Sequence, residues 1–238
     1  MPKPFSSSGP STSSARARPE AAQHGLPLPT PSAASLRAAA LIALIAWAAI
    51  IAQTGITLMR FEARGLTVLD ALARLSSYLT NLTVFATAIC FTCVAWRLST
   101  PFARFFRKPA VVTAIVIYIA FVGISYNLLL RHLWTPTGYR ALLNECLHSI
   151  VPLLAVLYWL LFVPRFHLTL RKCAYWLIYP LAYLFITFLR GSDTDFYPYP
   201  FIDVGELGLM RVSQNAVLLL LGFLVLMAVF IAINHRRR

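Results

Sequence analysis

Between Arg37 and Arg60 the chain carries no charged side chain, and the interval is dominated by Ala, Ile and Leu. A helix needs about 20 such residues to cross a hydrocarbon core of about 30 Å. Within lipid, backbone N–H and C=O groups must pair inside their own segment, so a run of this kind is constrained to be helical. A secretory signal peptide has a shorter apolar region of about 7–15 residues before a small-residue cleavage site. This run is too long for one.

Comparable runs recur along the chain. Candidate spans fall at roughly 36–58, 75–96, 110–130, 142–162, 173–189 and 214–234. The fifth is short and flanked by polar residues, with Tyr and Trp near its ends suited to a membrane interface. The fold class expected is all-α: a polytopic integral membrane protein built as a six-transmembrane-helix bundle over residues 33–238. Residues 1–32, rich in Pro, Ser and Ala with no apolar period, are expected to be a disordered cytoplasmic tail. Only 12% of the 238 residues are charged and 59% are hydrophobic, too little charge for a surface facing water.

The charges orient the bundle. A net charge of +13 suits a nucleic-acid binder, but the basic residues form no patch and instead punctuate the ends of apolar runs, so no nucleic-acid partner is expected. With the N-terminus inside, 14 basic residues fall on the inner side and 7 on the outer, while seven of the eight acids lie outside or near it. That asymmetry predicts a multipass protein of the cell membrane with both termini cytoplasmic. The first outer loop, with Arg60, Arg64 and Arg74, is the exception.

Polar residues inside membrane helices are costly, which marks them as functional candidates. Here they crowd the outer halves. Ser76, Thr80, Thr83 and Thr87 recur on one face of span two. Span three arrives outside with Ser125-Tyr126-Asn127, and span four leaves with Asn144-Glu145-Cys146-Leu147-His148. Counted from the span starts, Thr80 and His148 both lie roughly 7–9 Å below the outer end. Pro152 cannot donate to the carbonyl of His148, so a kink is expected there, with a free acceptor beside the imidazole. A lone membrane histidine also serves simply to bond a neighbouring helix, and threonines are common in such helices. The loop from Arg190 to Asp203, in which prolines alternate with tyrosines, reads either as a lid over the polar cluster or as an aromatic-belt loop. Cys90-Phe-Thr-Cys93 lies within an apolar run and reads as core packing; no metal site is expected.

Three stretches carry a resemblance. Tyr78-Leu79-Thr80, Asn144-Glu-Cys-Leu-His148 and Tyr199-Pro-Phe-Ile-Asp203 occur in order before and within the last spans. In this the chain resembles the androgen-induced and androgen-dependent family of multipass membrane proteins and their bacterial relatives. Animal members are threonine hydrolases of fatty-acid esters of hydroxy fatty acids. Asp203 stands where they tend to have Glu, and Asn81 is polar where they carry an aromatic residue.

The resemblance implies that Thr80 is a nucleophile and His148 the second catalytic residue. A threonine hydroxyl needs a base to take its proton, and a neutral imidazole serves. Asn81, Asn127 or Asn144 then donates to the oxyanion, and Asp203 or Glu145 orients the ring. The implied partners are membrane lipids and a lipid-ester substrate; no cofactor is called for. The competing expectations are a lipid-binding or transport-like protein without chemistry and a structural membrane subunit.

Overall fold

Ser32 begins the first helix by accepting a hydrogen bond from the Ser35 N–H, and α1 then runs Ala33–Glu62. A computed structural model describes residues 31–236; the expectation for the tail therefore falls, apart from residues 31 and 32, outside the described residues. Thr67 and Asp70 form a reciprocal capping box that starts the short helix α2 (Val68–Ser76). Tyr78 is extended, with φ −97° and ψ 121°, and separates α2 from α3 (Leu79–Trp96). Ser76 therefore does not share a helix with Thr80, and the second span starts later than residue 75. α4 (Pro101–Phe106) and α5 (Pro109–Ser125) each carry Pro in the first turn, where the missing N–H has no helical partner to lose.

α5 continues through a π turn (Tyr126–Leu130) and a 3-10 turn (Arg131–Leu133). The next helical run is α6 (Tyr139–Glu145), a π turn (Cys146–Ile150) and α7 (Val151–Phe162). Then come α8 (Leu170–Cys173), a 3-10 turn (Ala174–Leu177), α9 (Ile178–Thr194) and α10 (Val204–Arg236). Every regular element among the described residues is helical.

Five helical runs are long and apolar enough to cross a membrane: Ala33–Glu62, Leu79–Trp96, Pro109–Leu133, Tyr139–Phe162 and Val204–Arg236. Side chains such as Leu44, Ile51, Leu161 and Leu218 face outward at 60–70% exposure. That surface is suited to lipid and not to water, and the chain is a multipass membrane protein. The expected span at 173–189 is not among the five. Its helix α9 has only 17 residues, and tyrosines, Arg190 and Ser192 make it more polar. The run from residue 170 to 194 nevertheless joins both ends of the bundle. Just before it, the Leu168 carbonyl accepts from His235 near the end of α10 at 2.8 Å. Along it, Tyr118 of α5 donates to the Trp176 carbonyl at 2.7 Å. Near its end, Arg190 donates to the Ala73 carbonyl of α2 at 3.0 Å.

Small residues let the helices approach. Ala39, Ala43 and Ala46 are fully buried where α1 meets Val84, Ala88 and Phe91 of α3, the packing mode favoured where lipid supplies no hydrophobic drive between helices. Trp159 donates to Thr113 at 2.9 Å, and Ser35 bonds Tyr158 at 2.9 Å, joining helices that are otherwise apolar. Cys90 and Cys93 are buried and free, in keeping with core packing.

Candidate active site

Pro152 shapes the site through an absence. Its ring nitrogen has no proton for the carbonyl of His148, and the helix opens into a π turn immediately before it. The expected free acceptor is taken: Asn127 donates its side-chain amide to the His148 carbonyl at 3.2 Å. The same amide also donates to the Gly123 carbonyl at 2.8 Å, competing with the α-helical ladder where α5 becomes its own π turn. Gly123 is what lets the two distorted helices touch. A Cβ there would stand 2.9 Å from Pro152 Cβ and 3.0 Å from the His148 oxygen.

The two π turns carry two rings that meet. The His148 imidazole stacks on Tyr126, centroids 3.7 Å apart and planes inclined by 18°. Asn144 donates its side-chain amide to the Tyr126 hydroxyl at 2.7 Å. Its main-chain carbonyl lies 3.0 Å from His148 Nδ1. A carbonyl only accepts, so Nδ1 is the protonated nitrogen and Nε2 keeps its lone pair in the neutral ring.

Thr80 is held differently. Thr83, Thr87 and Thr92 of the same helix each donate to the carbonyl four residues back. Thr80 has no full helical turn before it, because α3 starts at Leu79. Tyr199 lines the same cavity as Thr80 and packs edge-on against Tyr78, their ring centroids 5.9 Å apart. Tyr78, at the start of α3, offers no side-chain cap, and Tyr199 arrives beside it from the loop before α10. Burial pushes the Tyr199 hydroxyl above its ordinary value, opposed by the neighbouring polar groups of Thr80, Tyr183 and Leu79.

Thr80, Asn81, Asn144 and His148 line one cavity of about 690 Å³. The volume is in the range that encloses a sizeable ligand. The equal-depth estimate did not produce this meeting. Thr80 stands one residue into α3 and His148 nine beyond Tyr139, and the π turn of His148 packs directly on α3. Thr80 and His148 share the cavity without a hydrogen bond between them; the partner of Nδ1 is the Asn144 carbonyl. Pro198 and Tyr199 form part of the cavity wall, the lid-like alternative for that loop. Tyr197 anchors the loop by packing on Gly191 so closely that no Cβ fits between them.

Three expected residues stand elsewhere. Asn127 is outside the cavity and acts on the His148 main chain. Asp203 accepts from the Glu206 N–H at 3.2 Å, capping α10, and does not reach the imidazole. Glu145 forms an ion pair with Arg131. The ring is therefore oriented by a backbone carbonyl and an aromatic stack, with no acid in that role. Asn81 donates to the Leu75 carbonyl at 3.0 Å, which leaves its second amide proton available.

Sequence reasoning missed Tyr126 and Tyr199 as site residues. It also missed that Arg60, Arg64, Arg74 and Arg140 all line the cavity. The signal was present: three of these arginines sit in the loop that breaks the expected positive-inside pattern. No metal-binding group of three or more His, Cys, Asp or Glu occurs among the described residues. No protein-family model, curated protein or solved structure matches the chain.

Proposed function

We propose that the protein is an intramembrane hydrolase of lipid esters with Thr80 as nucleophile and His148 as base, related to the androgen-induced and androgen-dependent family. The observation that carries the reading is the shared cavity: a threonine free of its own helix and an imidazole with a fixed tautomer open onto the same space. The three sequence stretches named above add to it.

His148 Nε2 takes the proton of Thr80 as Oγ1 attacks the ester carbonyl carbon. The tetrahedral intermediate collapses, the C–O bond to the alcohol breaks, and the proton on Nε2 goes to the leaving oxygen. Water, deprotonated by the same nitrogen, then cleaves the acyl–threonine ester and restores Oγ1–H. The second amide protons of Asn81 and Asn144 are donors for the oxyanion. No hydrogen bond joins Thr80 to His148 here, and catalytic hydrogen bonds of this kind commonly tighten only once substrate is bound.

For topology, we propose six crossings, with the run 170–194 as the fifth and both termini cytoplasmic in the cell membrane. The hydrogen bonds joining that run to both ends of the bundle support it, as does the 14-to-7 basic asymmetry.

The test is labelling and turnover. Thr80→Ala should abolish reaction with a serine/threonine-hydrolase probe and hydrolysis of lipid esters while the protein still folds. Thr80→Ser should retain part of both, and His148→Ala should be nearly as damaging as Thr80→Ala. Parental hydrolysis by Thr80→Ala would end the proposal. A second reading, lipid binding without chemistry, is favoured by one observation: the Thr80 hydroxyl and the His148 imidazole share the cavity without a hydrogen bond between them. It predicts no labelling of any variant.

A further inference from the structure

Arg60 and Arg64 at the end of α1, Arg74 on α2 and Arg140 on α6 line the cavity that holds Thr80 and His148, and no Asp or Glu lines it. Among the described residues the ion pair formed is Arg131–Glu145, which involves none of the four. Arg74 lies over the Phe196 ring, its Cζ 3.4 Å from the centroid, which fixes its direction without neutralising it. Of the nearby acids, Asp70 is occupied by the capping box with Thr67, and Glu62, between Arg60 and Arg64, is exposed and forms an ion pair with neither. Arg60, Arg64 and Arg140 are exposed and Arg74 is half-buried, so water screens their mutual repulsion, but four guanidiniums around one cavity still favour an anion there.

The geometry points to a phosphate site: we infer that the arginine rim binds the phosphate of an anionic glycerophospholipid headgroup. A carboxylate bears one charge and is satisfied by a single forked guanidinium. A phosphate offers more oxygens and suits several guanidiniums arriving from different elements. The rim lies at the same end of the bundle as the start of α3, where a headgroup of a membrane lipid resides. In such a lipid the phosphate and the nearest acyl ester are only a few bonds apart, so one cavity of about 690 Å³ accommodates both. As a substrate assignment this rests on the hydrolase reading; as a binding site it does not.

The experiment separates the two. Binding is measured on purified Thr80→Ala protein in neutral detergent, where no turnover occurs, with short-chain phosphatidylglycerol, phosphatidylcholine of the same chains, decanoate and inorganic phosphate. Phosphatidylglycerol should bind, and Arg60→Gln, Arg64→Gln and Arg140→Gln should each weaken it roughly tenfold. Lysine at these positions should fall between, because charge is kept and the fork is lost. Arg211→Gln, which alters an exposed arginine outside the cavity, should bind as the parent does. The inference is overturned if phosphatidylcholine, decanoate or inorganic phosphate binds as tightly as phosphatidylglycerol. It is equally overturned if Arg211→Gln weakens binding as much as Arg140→Gln, since the effect is then one of general surface charge. Specific binding by this pattern, with Thr80→Ala and parent alike unable to hydrolyse the lipid, supports the site and removes this lipid as substrate, leaving the hydrolase reading to the labelling and turnover test.

Discussion

Asn127 donates its side-chain amide to the main-chain carbonyl of His148 at 3.2 Å, across two helices. Pro152 is the reason the carbonyl is free to accept. In lipid no water replaces a lost donor. Asn127→Leu should therefore destabilise the protein by about 1–3 kcal/mol, read as thermal unfolding in detergent. Pro152→Ala supplies an N–H to the same carbonyl, so it should recover part of the loss in the Asn127→Leu background. Strict additivity of the two changes would show that the residues do not act on one carbonyl.

Gly123 faces Pro152 with no room for a methyl group. Both the proline ring and the His148 carbonyl are rigid, so Gly123→Ala must push α5 away from α7. Overpacking of this kind costs about 1–3 kcal/mol. The same shift should lower ester hydrolysis through displacement of His148. An unchanged unfolding midpoint would mean that the helices separate freely here.

Tyr126 contributes a stacking face to His148 and an acceptor to Asn144. Phe keeps the first and loses the second. Tyr126→Phe should cost about 1 kcal/mol of stability and leave most activity, whereas Tyr126→Leu should reduce kcat/KM further by releasing the ring. Steady-state kinetics on the pair decides it: equal losses would assign the whole effect to the hydroxyl.

Thr67 holds the Asp70 carboxyl below its usual range, first through the hydroxyl and then through the main-chain N–H. The sign follows from the depressed value. The capping box contributes above the unfolded carboxyl pKa of about 3.9, and its contribution is lost as pH falls through the lower folded value. Amide exchange in α2 should accelerate below about pH 4 beyond its intrinsic pH dependence, and Asp70→Asn should remove that step. Because α2 presents Arg74 to the cavity, Asp70→Asn is also expected to weaken anion binding modestly. Exchange that follows only the intrinsic curve would exclude the box as a determinant of α2.

Topology is open to reporter fusions. Fusions after Lys108, after Lys172 and at Arg238 should report cytoplasm, and those near Arg64, Arg140 and Asp195 the outside. An outer C-terminus would reduce the crossings to an odd number and remove the run 170–194 from the membrane.

Much of the architecture was legible because lipid makes secondary structure a local matter. A charge-free run must satisfy its backbone within itself, so the intervals bounded by Arg37 and Arg60, or by Lys108 and Arg131, are helices whatever surrounds them. Pro152 likewise announced its own distortion, since the missing donor is a property of one residue. Which faces meet was another matter. α5 and α7 are apolar all round, so periodicity gave no sign of which side turns inward. The stack of His148 on Tyr126, the meeting of Tyr199 and Thr80 on one cavity wall and the gathering of Arg60, Arg64, Arg74 and Arg140 around the same cavity join residues far apart along the chain. Such meetings depend on the rotation of each helix and on the breaks at Tyr78 and in the two π turns. Those are decided by packing between helices, where Gly123 admits Pro152 and alanines admit α3 to α1, and not by any segment read alone.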